Sequence, residues 1–157
     1  LLFTFSSFPP MLSIHSDEHF MQQAIMQAER AYEEEEVPIG AVVVCNYRII
    51  GKGYNQVERL QDPTAHAEML AITAACEHLG SKYLEDCSLF VTIEPCPMCA
   101  GALAWTRVGR IVYGAREPKY GYNRFGPSLL HPKTLVQGGI LADDCAALMK
   151  AFFANKR

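Results

Sequence analysis

The stretch Glu94-Pro95-Cys96-Pro97-Met98-Cys99-Ala100-Gly101 carries the only C-x-x-C pair in the chain. Two thiols at that spacing can clamp a structural zinc, cycle as a redox disulfide, or supply part of a catalytic metal site. The apolar run "SLFVTI" (88–93) just before the pair reads as a buried strand, and residues 97–107 read as a helix. Cys96 and Cys99 then stand at the start of that helix, where positions i and i+3 share a face, so both sulfurs can point at one ion. Which use applies depends on what else in the chain can reach them.

The upstream segment "DPTAHAEML" places His66 and Glu68 at the start of a second helix, expected from about residue 64 to 79 and closed by Gly80. One histidine and two cysteines make three ligands for tetrahedral zinc. A structural site is normally closed by a fourth side chain, whereas a catalytic site leaves that position to water. Both ligand sets lie at helix N-termini, whose partial positive charge favours thiolate. Glu68, two residues from His66, suits general acid/base work on the water rather than ligation. A C-x-x-C alone is only moderately specific, and a lone helical histidine is more often structural than a ligand. Together, H-A-E and P-C-x-x-C at two helix mouths point to a catalytic zinc. Cys45, Cys76, Cys87 and Cys145 have no partners at ligand spacing and are expected to be small buried hydrophobes.

Around this core the chain alternates strands and helices. Ser16-Asp17-Glu18 starts an amphipathic helix with Phe20, Ala24, Ala28, Ala31 and Tyr32 at helical spacing, and Glu33 to Glu36 read as its solvated end. "AVVVC", a turn at Asn46-Tyr47 and "RIIGKGY" read as a β-hairpin, followed by a loop from Asn55 to Pro63. "RIVYGA" (110–115) is a further strand. Residues 116–133, rich in Gly, Pro and Tyr, form a long loop with at most a short helix. A weak strand near Leu135-Val136 precedes a last helix, about 142–154. This pattern predicts an α/β fold, a three-layer α/β/α domain.

The chain has 157 residues, half of them apolar and a fifth charged, as in an ordinary globular domain. No apolar run approaches the roughly 18–20 residues that cross a bilayer. Scattered cysteines fit a reducing compartment, so a cytoplasmic location is expected. The net charge of −3 excludes a broadly DNA-coating surface but hides a division. Residues 1–94 hold 5 Lys/Arg and 14 Asp/Glu, whereas residues 95–157 hold 9 and 3. The basic half can face a polyanion, although interleaved surface charges would look the same. "LLFTFSSFPPM" is a poor signal peptide. Residues 1–13 are expected to be disordered or spurious, with Met11 a plausible first residue and 14–157 the folded domain.

At "DPTAHAE" and "EPCPMCAGA" the chain resembles the zinc-dependent cytidine/deoxycytidylate deaminase superfamily, whose known signature is this pair of motifs. It is similar, more narrowly, to the bacterial tRNA adenosine deaminases, through "EVPIGAVVV", "GYNQ", "VTIEPCPMCAGAL", "RIVYGA" and "GILADDCAALMKAFF". Agreement runs from about residue 18 to the C-terminus and is weaker over 116–133. The resemblance implies a mixed five-stranded sheet and conversion of wobble adenosine to inosine in a tRNA anticodon stem-loop. It also implies one zinc per chain and a homodimer, with neither organic cofactor nor membrane involved. By the same resemblance, His66, Cys96 and Cys99 bind zinc, Glu68 shuttles protons, and Asn55 hydrogen-bonds the flipped base. Phe152-Phe153 and the tail Asn155-Lys156-Arg157 match a C-terminal helix near the RNA, which makes Phe153 a candidate substrate contact. A turn-forming Asn and a core Phe pair are the plainer alternatives.

Many relatives carry a Gly/Ala/Ser-rich segment where this chain has Glu117-Pro118-Lys119-Tyr120-Gly121-Tyr122-Asn123-Arg124-Phe125. Its three aromatics either stack unpaired bases or pack within the assembly. Two rival functions stay open from sequence. One is a deaminase of a free base such as guanine or cytosine. The other is a zinc-stabilised RNA-binding module, which has little use for Glu68. A thiol oxidoreductase leaves His66-Ala67-Glu68 unexplained.

Overall fold

The computed structural model describes residues 14–156; the expectations for residues 1–13, and the last residue of the tail, lie outside them. Helix α1 (Asp17–Glu33) starts where Ser16 Oγ accepts a hydrogen bond from the His19 amide at 3.1 Å. Phe20, Met21, Ala24, Ala28 and Ala31 form its buried stripe. Strands β1 (Gly40–Cys45) and β2 (Arg48–Tyr54) make the expected hairpin. Asn46 and Tyr47 both take positive φ (51° and 61°), the combination a two-residue turn needs to match strand twist.

The chain then makes a single turn, α2 (Val57–Leu60), and enters α3 (Ala67–Leu79). Helix α3 starts three residues later than the sequence suggests. Asp62 Oδ1 accepts from the Thr64 backbone N and Oγ1 (2.8 and 2.7 Å), which holds this segment in an Asx turn. Strand β3 (Cys87–Ile93), helix α4 (Pro97–Thr106) and strand β4 (Arg110–Ala115) follow as expected. Two short 3₁₀ turns interrupt the long loop, at Tyr122–Arg124 and Pro127–Leu129. Strand β5 (Leu135–Gln137) and helix α5 (Ala142–Ala154) complete the chain.

The five strands form one mixed sheet in the order β2-β1-β3-β4-β5. Its first two pairings are antiparallel and its last two parallel. Alternation along β1 shows why the sheet needs cover on both sides. Ala41 and Val43 join Ala71, Ala75 and Leu103 of α3 and α4, while Val42 and Val44 join Phe20 and Met21 of α1 and Cys145 of α5. The result is the three-layer α/β/α arrangement read from the sequence.

Close approach of α3 to β2 positions the site. A Cβ on Gly53 would run into the Ala67 carbonyl, and one on Gly51 into that of Ala71. Glycine at both places lets the helix backbone lie directly on the strand, which seats the start of α3, and with it His66, above the C-terminal end of β2. On the other face, Arg110 of β4 holds Asp17 of α1 through two hydrogen bonds of 2.8 and 2.6 Å.

One expectation is corrected in this region. Glu36, expected in a solvated helix end, is 1% exposed. Its carboxyl group accepts hydrogen bonds from the Glu58 and Arg59 amides, which otherwise have no partner at the start of α2.

Candidate metal and active site

His66 and Cys96 are the residues immediately before α3 and α4, both with extended backbone. Neither side chain caps its own helix, so imidazole and thiol remain directed elsewhere. They meet: His66 Nδ1 lies 3.6 Å from Cys96 Sγ and 3.6 Å from Cys99 Sγ. All three ligand atoms fall within 4.8 Å of one another, and among the described residues no other His/Cys/Asp/Glu group of three or more does so. Bond lengths of roughly 2.3 Å for Zn–S and 2.0 Å for Zn–N put sulfur and nitrogen about 3.5 Å apart across a tetrahedral ion. The observed separations fit a zinc ion bound by this set. With three protein donors, the fourth position is open to water.

Glu68 occupies the first turn of α3 and is 3% exposed. Burial pushes its carboxyl group up to about 7; the Cys96 thiolate adds to the rise, while a hydrogen bond with Cys99 and the His66 charge oppose it. The two thiols divide their protons unequally. Cys96 is pulled down to about 4, first by the hydrogen bond from Cys99, with burial opposing and His66 assisting. Cys99 is pushed far up, first by holding its proton against Cys96 and then by burial. His66 is raised, first by its hydrogen bond to Cys96 and against the effect of burial. A charged Cys96 beside a proton-rich neighbourhood is a site ready to exchange protons for a cation.

A cavity of about 1160 Å³ opens beside this cluster, lined by Glu36, Asn55, His66, Phe153 and Lys156 among others. Asn55 follows β2 directly; its amide donates to the Ile39 carbonyl (3.0 Å) and its Oδ1 accepts from the Val57 amide (3.3 Å). The phenylalanine pair is divided. Both line the cavity, but Phe152 is buried, edge-on to Tyr32 with centroids 6.2 Å apart, whereas Phe153 is 49% exposed.

The structure corrects the loop 116–133 as well. Tyr122 is 2% exposed and belongs to the core, leaving Tyr120 and Phe125 as the exposed aromatics. The Tyr122 amide donates to the Pro95 carbonyl (2.9 Å), and Glu94 Oε2 accepts from the Asn123 amide (3.3 Å). The loop is thereby tied to the segment that carries Cys96. Glu94, buried at 3% exposure, belongs to the metal-ligand motif but attracts no attention from sequence alone. Of the remaining cysteines, Cys87 and Cys145 are buried as expected, whereas Cys45 and Cys76 are only half-buried. Cys45 closes a strand at the hairpin turn, and Cys76 lies in the last turn of α3, where cover is thinner.

The chain matches the family model "Cytidine and deoxycytidylate deaminase zinc-binding region" over residues 14–115. It is 44% identical to the tRNA-specific adenosine deaminase of Bacillus subtilis (strain 168), over 90% of this chain and 91% of that protein. A solved structure from work on A-to-I editing by tRNA:A34 deaminases at the wobble position of transfer RNA superposes with a TM-score of 0.78. It is 42% identical and covers 83% of this chain and 98% of that one. The guanine deaminase structure of Bacillus subtilis superposes with a TM-score of 0.62 at 42% identity, over 64% of this chain and 65% of that one. The family model spans residues 14–115, which include His66, Glu68, Cys96 and Cys99, and the Bacillus subtilis relative aligns over 90% of the chain: the chain belongs to the cytidine and deoxycytidylate deaminase family, within its tRNA-specific adenosine deaminases.

Proposed function

We infer that this protein is a zinc-dependent hydrolytic deaminase that converts adenosine to inosine at the wobble position of a tRNA anticodon. One observation carries the reading: three metal-ligand atoms converge beside a buried carboxyl group in a chain that matches a tRNA-specific adenosine deaminase over 90% of its length. His66, Cys96 and Cys99 hold the zinc, which when bound supplies an activated water as nucleophile near neutral pH.

Within the established chemistry of zinc deaminases, attack falls on C6 of adenine. Glu68 takes a proton from the attacking water and delivers it to ring nitrogen N1. It then carries the water's second proton to the departing amine, so that the C6 carbonyl forms and inosine and ammonia leave. Burial favours the protonated form of this carboxyl group, which suits it to accept and return a proton. Asn55 holds the flipped base from the cavity wall through its amide donors, and Phe153 offers a ring for stacking. Both transferred protons come from the water and Glu68 only carries them, so no organic cofactor takes part.

The substrate is an anticodon stem-loop bound at the cavity. A cavity of about 1160 Å³ exceeds what a free base would fill, which supports a larger substrate; Lys156 and Arg59 stand on its lining beside Glu34, Glu35, Glu36 and Glu58. Residues 14–157 act as one deaminase domain, working as a cytoplasmic homodimer that binds RNA. Trp105 on α4, 85% exposed in the single chain, supports a partner surface. Among the described residues no helix is long and apolar enough to cross a membrane. The guanine deaminase likeness favours a second reading, deamination of a free base.

The test presents the zinc-loaded protein with a stem-loop bearing wobble adenosine, and with guanine and cytosine in parallel. Ammonia release and base identity are measured. Inosine in the stem-loop supports the first reading; conversion of a free base alone supports the second.

A further inference from the structure

The run Glu33–Glu36 ends in a buried carboxyl group that has no part in the chemistry above. Glu36 lines the same cavity as Asn55 and His66. Its Oε1 accepts from the backbone N of Glu58 at 2.8 Å and of Arg59 at 3.1 Å, and Oε2 accepts from Glu58 N at 3.2 Å. These are N–H groups that a four-residue helix cannot satisfy internally. The next such group, on Val57, donates to Asn55 Oδ1 at 3.3 Å. Gln56, the residue before the helix, provides no side-chain acceptor.

Glu34 reinforces the clamp from the rim, accepting from Tyr54 Oη at 3.1 Å and from Arg59 Nη1 at 3.3 Å. Helix α2 buries none of its four residues, so the clamp contributes little to the core. Its main effect is on the shape of the loop. With Oδ1 engaged by Val57, Asn55 presents its Nδ2 donors in one orientation, and that orientation depends on where Glu36 holds residues 57–59.

We propose that Glu36 is a positioning residue for deamination: its carboxyl group fixes the loop from Asn55 to Arg59 and so sets the direction of the Asn55 amide in the cavity. The proposal rests on the reading of Asn55 as the residue that binds the base. It also gives a reason for burying an acidic group beside a polyanion site, where a charge without such donors would be costly.

The experiment measures kcat and KM per bound zinc on the wobble-adenosine stem-loop for Glu36→Ala, Glu36→Gln, Glu36→Asp, Asn55→Ala and the double variant Glu36→Ala/Asn55→Ala. Glu36→Ala lowers kcat/KM by roughly 10- to 100-fold, the scale of a misplaced contact. Glu36→Gln keeps an acceptor oxygen at the same reach and stays within about threefold of wild type, whereas Glu36→Asp keeps the charge, loses the reach and resembles the Ala variant. Adding Glu36→Ala to Asn55→Ala produces little further loss, because the effect passes through Asn55. Full additivity, equal harm from Gln and Ala, or a wild-type kcat/KM in Glu36→Ala each overturns the proposal. An Asn55→Ala variant as active as wild type would remove the Asn55 reading first and the proposal with it. An impaired Asn55→Ala beside an unimpaired Glu36→Ala removes the proposal alone.

Discussion

His66 Nδ1 lies 3.6 Å from Cys96 Sγ, although 30 residues separate them and each stands immediately before a helix. The sheet makes this possible: β2 and β3 both run antiparallel to β1 between them, so the chain leaves both strands at the same end of the sheet, reaching α3 by way of α2 and α4 directly. Removing any one ligand leaves two donors, too few to retain a zinc ion in competition with water. Cys96→Ser, Cys99→Ser and His66→Ala are each expected to fall from about one zinc per chain to near zero by elemental analysis. Undiminished zinc in Cys96→Ser would show that the ligand set is different.

Glu68 is expected to separate binding from chemistry. Glu68→Gln keeps the size of the side chain and leaves the ligands in place, so it should fold and hold zinc. Its turnover should drop by at least about 10²-fold, the usual range for removing a general acid/base. Substantial deamination by this variant would assign the proton transfers to another group.

The same residue has a pH signature in the metal-free protein. Its folded pKa is raised from 4.5 to about 7, so its contribution to stability is complete below about pH 4.5 and is lost as pH rises through 7. Cys96, lowered from 9.0 to about 4, acts in the opposite sense and adds stability as pH rises. The informative quantity is therefore the difference between wild type and Glu68→Gln in denaturant titrations of the metal-free chain. Glu68→Gln should gain stability relative to wild type as pH rises from 5 to 8, with no gain at pH 4. A difference that does not change with pH would contradict the burial argument.

Thiol reactivity should sort the cysteines. In the metal-free protein Cys96 is a thiolate at neutral pH and partly accessible, whereas burial pushes Cys87 and Cys145 up to about 12. Brief alkylation at pH 6 followed by peptide mass spectrometry should mark Cys96 first, and zinc should protect it. Equal labelling of Cys87 or Cys145 would indicate an opened core.

Much of this was legible in the residues themselves. H-A-E and P-C-x-x-C carry their ligand chemistry in their spacing, and the unbroken apolar run Ala41–Val44 together with the two turn residues Asn46 and Tyr47 marks the hairpin. Two buried acids, Glu36 and Glu94, were not legible. Glu36 sits in a run of four glutamates that a single sequence presents as solvated, and its partners are backbone amides 22 and 23 residues away. Tyr122 looks like its exposed neighbours Tyr120 and Phe125 until the Pro95 carbonyl draws its amide inward. Helix α3 begins late because Asp62 competes for the Thr64 amide, a local choice that helix periodicity does not register.

Gly53→Ala tests how the fold places the site. Its new methyl group would meet the Ala67 carbonyl at the start of α3, next to His66 and Glu68. Loss of about 1–3 kcal/mol in chemical denaturation is expected, together with weaker zinc retention in a chelator competition. A variant with unchanged stability and zinc affinity would show that α3 can shift without moving the ligands.

The central claim is that the zinc site acts on adenosine within an anticodon. Its most direct test is incubation of the zinc-loaded protein with a stem-loop carrying wobble adenosine, followed by nucleoside analysis. Inosine at that position, with ammonia released in equal amount and neither guanine nor cytosine consumed, is the predicted result. An unchanged stem-loop beside rapid deamination of a free base would contradict it.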